Sequence, residues 1–513
     1  MQGAVGKHYE IWGKLNEGGM SDVWLARHCE LALPVVIKTL LPNATKEPFA
    51  ARYERLLNEA RLTARLTSPR VVKVIDVGVY TPSRDDLEPL PFLVEEYIDG
   101  IDLAEFDRRR RVALHRPLPL WAVADQIAQA AEGLHAAHQA GVIHCDVKPS
   151  NLFGHGHAHI KVGDFGVAVA SAVEHHPVAG TLLFMAPEQP LGERLSRRTD
   201  VYSLGATAFT LRYGHPPYDS LAEATAPNAA PVFPPAGSPE EAYFQHVVAK
   251  MMARRPDARY ANMMTARHHL RALATATMPR LVPIRLSQDV FDIGGVRVSF
   301  EVGDLSKVET DAVVNSATTS MRMRRSLAEA LRVRGGDEIE TEAMAEGERA
   351  LGDCIVTSAG KLAARGVIHA VGGWHEVSCV ARATHRALLL AEERGFTRIA
   401  MPAIATGSSG VSIEACADAM VGVLRLHLTL GGSRLKEVRF VLYDDKTFRR
   451  FLEVATGLLL GTEDAFRFDD EVDAPVTRDE ASSAPTMFVA QKPLTRAATE
   501  RLAHAGGREG PTE

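Results

Sequence analysis

The tightest constraint on the fold is a set of charged and polar residues whose spacing forces distant parts of the chain together. In "IHCDVKPSN" Asp146 is followed two positions on by Lys148 and five on by Asn151, and "DFG" places Asp164 thirteen residues beyond Asn151. The run begins just after "LWAVADQIAQAAEGLHAAHQAG", whose apolar residues fall at helical spacing and which stops at Gly141, a helix terminator. Far upstream, "VVIK" sets Lys38 at the end of a strand, and Glu59 lies on the amphipathic helix read in "EPFAARYERLLNEARLTARL". Phosphoryl transfer needs a carboxylate to accept a proton, an amide oxygen and a second carboxylate to hold magnesium, and a lysine on the phosphates. These residues supply that set only in a fold that brings a strand, a helix and two loops to one cleft.

At 513 residues the chain exceeds one hydrophobic core and predicts roughly two to four domains. A net charge of -6 leaves no footprint for general nucleic-acid binding. The N-terminus lacks an apolar leader and no run approaches 18 apolar residues, so a cytoplasmic chain without a membrane span is expected. Five scattered cysteines without a CxxC pair read as reduced, structural residues. Two prolines in "ATMPRLVPIRLSQD" mark a linker over 275–289. Beyond it, apolar runs such as "DAVVN", "GVIHAV" and "RIAMPAIA" alternate with helical segments, which predicts a mostly parallel sheet covered on both faces. The last part, 459–513, turns acidic and then small and polar, and reads as a disordered tail.

From about Tyr9 to about Ala272 the chain resembles the protein kinase family. The matching pieces are "LNEGGMSDVWLA", "VVIK", Glu59, "IHCDVKPSN", "DFG", "MAPEQ" with Glu188, "TDVYSLG" with Asp200, and Arg259 in "RRPDARY". The resemblance implies Asp146 as catalytic base, Lys148 steadying the transferred phosphate, and Asn151 and Asp164 as magnesium ligands. It also implies Lys38 paired with Glu59, Arg259 tying down Glu188, and an ATP site made by Gly18, Gly19, Val23, Lys38, Glu96 and Ile98. Lys148 and the Gly180-Thr181 pair before "MAPE" look like bacterial-type serine/threonine kinases.

Three departures stand out. Of the usual three glycines over the nucleotide only Gly18 remains in place, with Gly19 beside it. Glu95 occupies the position that usually holds an apolar residue beside the adenine. Cys145 replaces the arginine that usually holds a phosphorylated activation loop, and Gly166 to Gly180 offers only Ser171 as phosphoacceptor, so loop phosphorylation is not expected to switch activity. The "HGHAH" run places His155, His157 and His159 on one side of a strand, as a metal site requires, but its place between Asn151 and Asp164 favours a polar surface turn.

The tetrapeptide Gly-Val-Ile-His recurs at 366–369 without the aspartate, lysine and asparagine that follow the first copy, so the repeat is coincidental. The loop in "AIATGSSGVSIEACADAM" opens a helix and suits a phosphate. Residues from about Val290 to Leu452 resemble the macro domain family, which binds ADP-ribose and its relatives, on "GDL", "DAVVNSAT", "VIHAVGGW", "AMPAIATGSSG" and "FVLYD". By that resemblance Asp304 holds the adenine amino group, Asn315 lies near the distal ribose, and Thr406, Gly407, Ser408, Ser409 and Gly410 wrap the pyrophosphate. Hydrolytic members read Asn-Ala-Ala-Asn and then a glycine run, whereas this chain has Asn315-Ser316-Ala317-Thr318 and "TSMRMRRS". Arg322, Arg324 and Arg325 there read either as phosphate contacts or as a solvated helix start.

The expected architecture is multidomain. A bilobal α+β kinase fold spans 9–274, followed by the 275–289 linker, an α/β/α three-layer macro domain over 290–458 and the tail. The expected function is ATP- and magnesium-dependent phosphorylation of protein substrates on serine or threonine, coupled to a macro domain that reads ADP-ribose or a related nucleotide, for instance on an ADP-ribosylated protein. Two alternatives stay open at this point: a pseudokinase scaffold carrying an ADP-ribosyl hydrolase, and a kinase whose macro domain is degenerate and serves as a partner surface.

Overall fold

A computed structural model describes residues 4–5, 8–17, 21–40, 48–81, 88–155, 159–165, 182–374, 377–407 and 409–460. Six antiparallel strands open the fold: β1 (Ala4–Val5), β2 (Tyr9–Glu17), β3 (Ser21–His28), β4 (Leu33–Leu40), β5 (Val74–Tyr80) and β6 (Leu90–Glu96), in the order β1-β2-β3-β4-β6-β5. Helix α1 (Phe49–Thr63) seats Leu56 and Ala60 against Leu93. Alternation along β4 does the rest, because Val35 and Ile37 point into the opposite face while Lys38 points to the cleft side of the sheet.

A helical lobe follows, built from α2 (Leu103–Leu114), α3 (Leu120–Gln139), α4 (Arg197–Tyr213), α5 (Leu221–Thr225), α6 (Pro239–Met251) and α7 (Met263–Thr277), with the short hairpin β7 (Leu152–His155) and β8 (His159–Val162). The helical reading of α3 holds, and Gly141 leaves it at φ 77°, a conformation that suits glycine. An Arg271–Asp125 ion pair joins α7 to α3. A capping box of Ser196 and Thr199 starts α4, whose buried face includes Asp200.

The second sheet has eight strands: β9 (Ile284–Arg285), β10 (Val290–Ile293), β11 (Val296–Val302), β12 (Ala312–Ser316), β13 (Cys354–Thr357), β14 (Gly366–Ala370), β17 (Arg398–Met401) and β18 (Glu437–Leu442). A separate hairpin is formed by β15 (Gly373–Trp374) and β16 (Val377–Ser378). The order is β13-β14-β12-β17-β18-β11-β10-β9, parallel through the five central strands and antiparallel at both edges. Successive strand residues enter different cores. Ala312 and Val314 face one apolar cluster and Val313 the other, and Val438 and Phe440 oppose Val441 in the same way. Helices α8 (Ser326–Gly335) and α9 (Glu338–Ala345) cover one face, and α10 (Val380–Glu393), α11 (Ile413–Thr429) and α12 (Asp445–Leu460) cover the other, giving three layers.

Two boundaries differ from the sequence reading. Helix α7 runs to Thr277 and ends just before Pro279, whose ring disfavours helix in the preceding residue, and β9 pairs with β10, so 275–277 and 284–285 belong to regular structure while the rest of 275–289 is connecting chain. At the other end α12 continues to Leu460 with Leu459 buried, two residues past the expected domain end. The two Gly-Val-Ile-His copies adopt unrelated structures: the first is a loop, the second is the buried strand β14. Gly18, Gly19, Ser171, His157, Ser408 and the segment 461–513 lie outside the described residues.

Candidate active site

The cleft between the two lobes brings Lys38, Glu95, Asp146, Lys148, Asn151 and Asp164 together. Lys38 Nζ lies 2.8 Å from Glu95 Oε2 and 3.8 Å from Asp164 Oδ1. Burial works against the lysine's charge, but Asp164, then Glu95 and Glu59 outweigh it and hold the ammonium above the ordinary lysine range. Lys38 in turn holds Asp164 below the usual carboxylate range, so both stay ionised near neutral pH. Val23 faces Lys38 across the β3–β4 ladder, and Glu59 on α1 adds its negative charge to the field at the lysine.

On the loop that follows α3, Asp146 Oδ2 accepts from Lys148 Nζ at 2.7 Å and from Asn151 Nδ2 at 3.2 Å, and Asn151 Nδ2 also donates to the Asp146 carbonyl at 2.8 Å. Burial raises Asp146 above its ordinary value, with Lys148 opposing that shift. Asn151 binds through its amide nitrogen, which leaves its amide oxygen, like the Asp164 carboxylate, as a hard donor. Such oxygens fit magnesium.

Local strain and buried anchors set this geometry. Cys145 and Asp164 have φ 63° and 61°, unusual for residues with a Cβ. Asp200, wholly buried on α4, accepts from the backbone N–H of His144 at 2.9 Å and of Cys145 at 2.8 Å, and bonds His138 Nε2 at 2.7 Å. The Asp146 N–H donates to His144 Nδ1 at 3.2 Å, so Nε2 is the protonated nitrogen and donates to the Gly163 carbonyl at 3.0 Å. His144 thus ties the Asp146 loop to Gly163, the residue preceding Asp164. Arg259 meets Glu188 through two bonds of 2.7 and 2.8 Å, both side chains buried, as the sequence implied. Burial, with Asp200 and Asp146 beside it, pushes the Cys145 thiol far up, which makes it inert. Glu96 Oε1 accepts from the Lys73 N–H at 2.9 Å and from Lys161 Nζ at 2.7 Å, so its side chain secures the hinge strand, and Ile98 follows half-buried.

A second candidate site lies in the three-layer part. All five central strands are parallel, so the loops after β11, β12, β14, β17 and β18 gather at one edge of the sheet, where open α/β sheets bind ligands. Three bonds or contacts lock these loops together. The Ala405 N–H donates to Ser316 Oγ at 3.1 Å, Ser409 Oγ donates to the Gly373 carbonyl at 3.2 Å, and Gly372 packs so closely that a Cβ there would stand 2.0 Å from Ile404 Cγ2. Gly407 and Gly410 face open space, and Gly410 has φ 70°. Thr406 Oγ1 donates to the Ala403 carbonyl at 3.0 Å, which shapes the turn.

Asp304 accepts from the Ser306 N–H at 3.0 Å and Oγ at 2.7 Å and pairs with Lys307 at 2.8 Å, contacts that lower its pKa. Asn315 is 1% exposed, its Nδ2 is 3.1 Å from His369 Nδ1, and its Oδ1 has no hydrogen-bond partner. It therefore lies beneath the loops rather than at their surface. Arg322, Arg324 and Arg325 are exposed, and Arg324 pairs with Glu340 at 3.0 Å. Tyr443, which the motif reading passed over, is 91% exposed directly after β18, and the Gly303 N–H donates to the Leu442 carbonyl at 2.9 Å, which joins the end of β18 to the residue before Asp304. A large aromatic left bare at a strand's carboxyl end is the signal that marks it. No metal-binding group of three or more His, Cys, Asp or Glu occurs among the described residues, and no helix among them is long and apolar enough to cross a membrane.

Comparison with known families agrees with this geometry. The protein kinase domain model matches residues 9–270, just over half of the chain, and the macro domain model matches 314–420. The chain belongs to the protein kinase family and carries a macro domain after the kinase domain. Among its relatives, the serine/threonine-protein kinase PknB of Mycolicibacterium smegmatis is 36% identical over 49% of this chain and 40% of its own length. PknB of Mycobacterium tuberculosis strain H37Rv is 32% identical over 59% and 48%, and Pkn1 of Myxococcus xanthus 31% over 53% and 40%. The chain therefore spans less than half the length of these relatives.

Proposed function

We propose that the protein is an ATP-dependent serine/threonine protein kinase whose macro domain reads ADP-ribose or a related nucleotide. The observation that carries the first half is the convergence on one cleft of Lys38, from the sheet, with Asp164, Asp146, Lys148 and Asn151, from the loops. Magnesium, held by Asn151 and Asp164, would neutralise phosphate charge. In this reading Asp146 takes the proton of the substrate hydroxyl as its oxygen bonds to the γ-phosphorus and the bond to the β,γ-bridging oxygen breaks, releasing ADP; Lys148 sits where charge develops on the transferred group, and Lys38 orients the α and β phosphates. A full set of these residues argues against a pseudokinase scaffold.

The relatives' printed names support serine and threonine as acceptors. Cys145, with its backbone held by Asp200 and its thiol inert, supports an enzyme that needs no phosphate clamp on its activation segment. In the macro domain, backbone donors of 406–410 take the pyrophosphate, Tyr443 stacks on the adenine whose amino group meets Asp304, and Asn315 and His369 back the ribose end. Reading is favoured over hydrolysis because Thr318 stands where the second asparagine would, "TSMRMRR" lacks the glycine run, and Met321 from that loop is buried. Phosphoamino-acid analysis of the products made from labelled ATP tests the first half, expecting phosphoserine or phosphothreonine. Calorimetry with ADP-ribose beside a release assay on an ADP-ribosylated protein tests the second, expecting binding heat and no rapid release.

A further inference from the structure

The loops that gather at the macro domain's ligand edge are also the surface on which the kinase hinge rests. Leu25 of β3, fully buried, packs with Ala317, Met321, Val371 and Cys379 of the macro domain, and Trp12, Leu15 and Tyr97 close the same cluster. The Tyr97 hydroxyl lies 2.9 Å from Cys379 Sγ. Asp99, two residues further along the hinge, caps α10: its carboxylate accepts from the backbone N–H of Ala381 and of Arg382, each at 3.1 Å.

The grip continues onto the helical lobe. Arg110 Nη2 on α2 donates to the carbonyls of Leu430 at 3.0 Å and Gly431 at 2.6 Å, Arg434 Nη2 donates to the Ala113 carbonyl at 2.7 Å, and Arg386 pairs with Glu105 at 3.4 Å. Phe106 meets His385 edge to face with ring centroids 5.4 Å apart. The macro domain thus contacts the sheet lobe, the hinge and the helical lobe at once.

The contact residues are extensions of the candidate ligand loops. Ala317 directly follows Ser316, whose hydroxyl takes the Ala405 N–H, and Val371 precedes the Gly372-Gly373 pair. The Cys379 N–H donates to the Gly372 carbonyl at 2.8 Å. In place of the glycine run of hydrolytic members, Met321 is spent on the interface at φ 58°.

We propose that the macro domain is a ligand-responsive brace across the kinase cleft, so that an ADP-ribose-type nucleotide in its loops tightens ATP binding in the kinase. The inference rests on the reading of that pocket given above. In the braced arrangement Lys38 from one lobe reaches Asp164 of the other, so a ligand that holds loops 316–321 and 371–373 in place favours the closed cleft. Coupling of this kind is reciprocal: whatever factor the macro ligand applies to ATP affinity, ATP applies to the macro ligand.

The experiment measures binding of a non-hydrolysable ATP analogue with magnesium to the full chain, with and without saturating ADP-ribose, and then the reverse titration. The expected result is an affinity gain of about fivefold or more, equal in both directions. In Asp99→Ala and Arg434→Ala chains, each ligand should still bind alone while the factor falls to about one. Binding of ADP-ribose with a factor of one in the unaltered chain overturns the brace and leaves the reader intact. Absence of ADP-ribose binding overturns the reader and, with it, the ligand response.

Discussion

Glu95 Oε2 stands 2.8 Å from Lys38 Nζ, with Glu95 almost fully buried at the back of the cleft. The lysine that should meet ATP phosphates therefore already has an anionic partner besides Asp164 and Glu59. A hydrogen bond to a charged group contributes about 1.5–3 kcal/mol, so this contact competes measurably with the nucleotide. Glu95→Gln removes the charge while keeping the shape. Its KM for ATP should fall, by up to about tenfold, whereas Lys38→Met should abolish turnover. A higher KM in Glu95→Gln would show that Glu95 positions the lysine instead of competing for it.

Asp146 carries a pH signature. Burial raises its pKa, and a general base acts only when deprotonated, so activity is lost as pH falls through that raised value. The acid limb of kcat/KM should lie above the ordinary carboxylate range. Lys148 lowers the pKa of Asp146, so Lys148→Met should slow the reaction and move the limb further up. A limb that stays put in that variant would assign it to another group.

In the macro domain the glycines make opposite predictions. Gly407 faces open space, so Gly407→Val should fold normally yet lose ADP-ribose binding, because a β-branched side chain fills the ground a phosphate needs. Gly372→Ala should instead destabilise the chain, since its Cβ would overlap Ile404. Thermal melting beside calorimetry separates the two, and tight binding by Gly407→Val would remove the 406–410 loop from the site.

His369 should make stability depend on pH. It is buried between Asn315 and Thr357, and burial holds its pKa at about 4, below the ordinary histidine value. A histidine depressed in the folded state keeps its contribution above the unfolded pKa of about 6.5 and loses it as pH falls toward 4. His369→Gln should show a smaller drop in Tm between pH 7 and pH 5 than the unaltered chain, and an equal drop would assign the acid sensitivity elsewhere.

Much of the candidate phosphotransfer cluster was legible because such chemistry needs fixed residue types at fixed offsets. Asp146, Lys148, Asn151 and Asp164 are close in the chain, and Lys38 and Glu59 sit on elements that periodicity reveals. The macro domain fold was legible through strands buried on both faces, such as "DAVVN". The pairing of Glu95 with Lys38 was not, because it depends on the β4–β6 register, which sets Glu95 opposite Val36 and one diagonal step from the lysine. Tyr443 was hidden inside a motif read as strand. The hinge contacts of Tyr97 and Asp99 with Cys379 and α10 join residues some 280 positions apart, and no local pattern encodes them. The same holds for Met321, whose loop read as a damaged ligand site and proved to be an interface.

The most direct test of the account is transfer of radiolabelled phosphate from ATP by the full chain, compared with its Asp146→Asn variant under single-turnover conditions. The account predicts magnesium-dependent transfer to serine or threonine, slowed by on the order of 10² to 10⁴ in the variant. Equal rates in the two chains would contradict it.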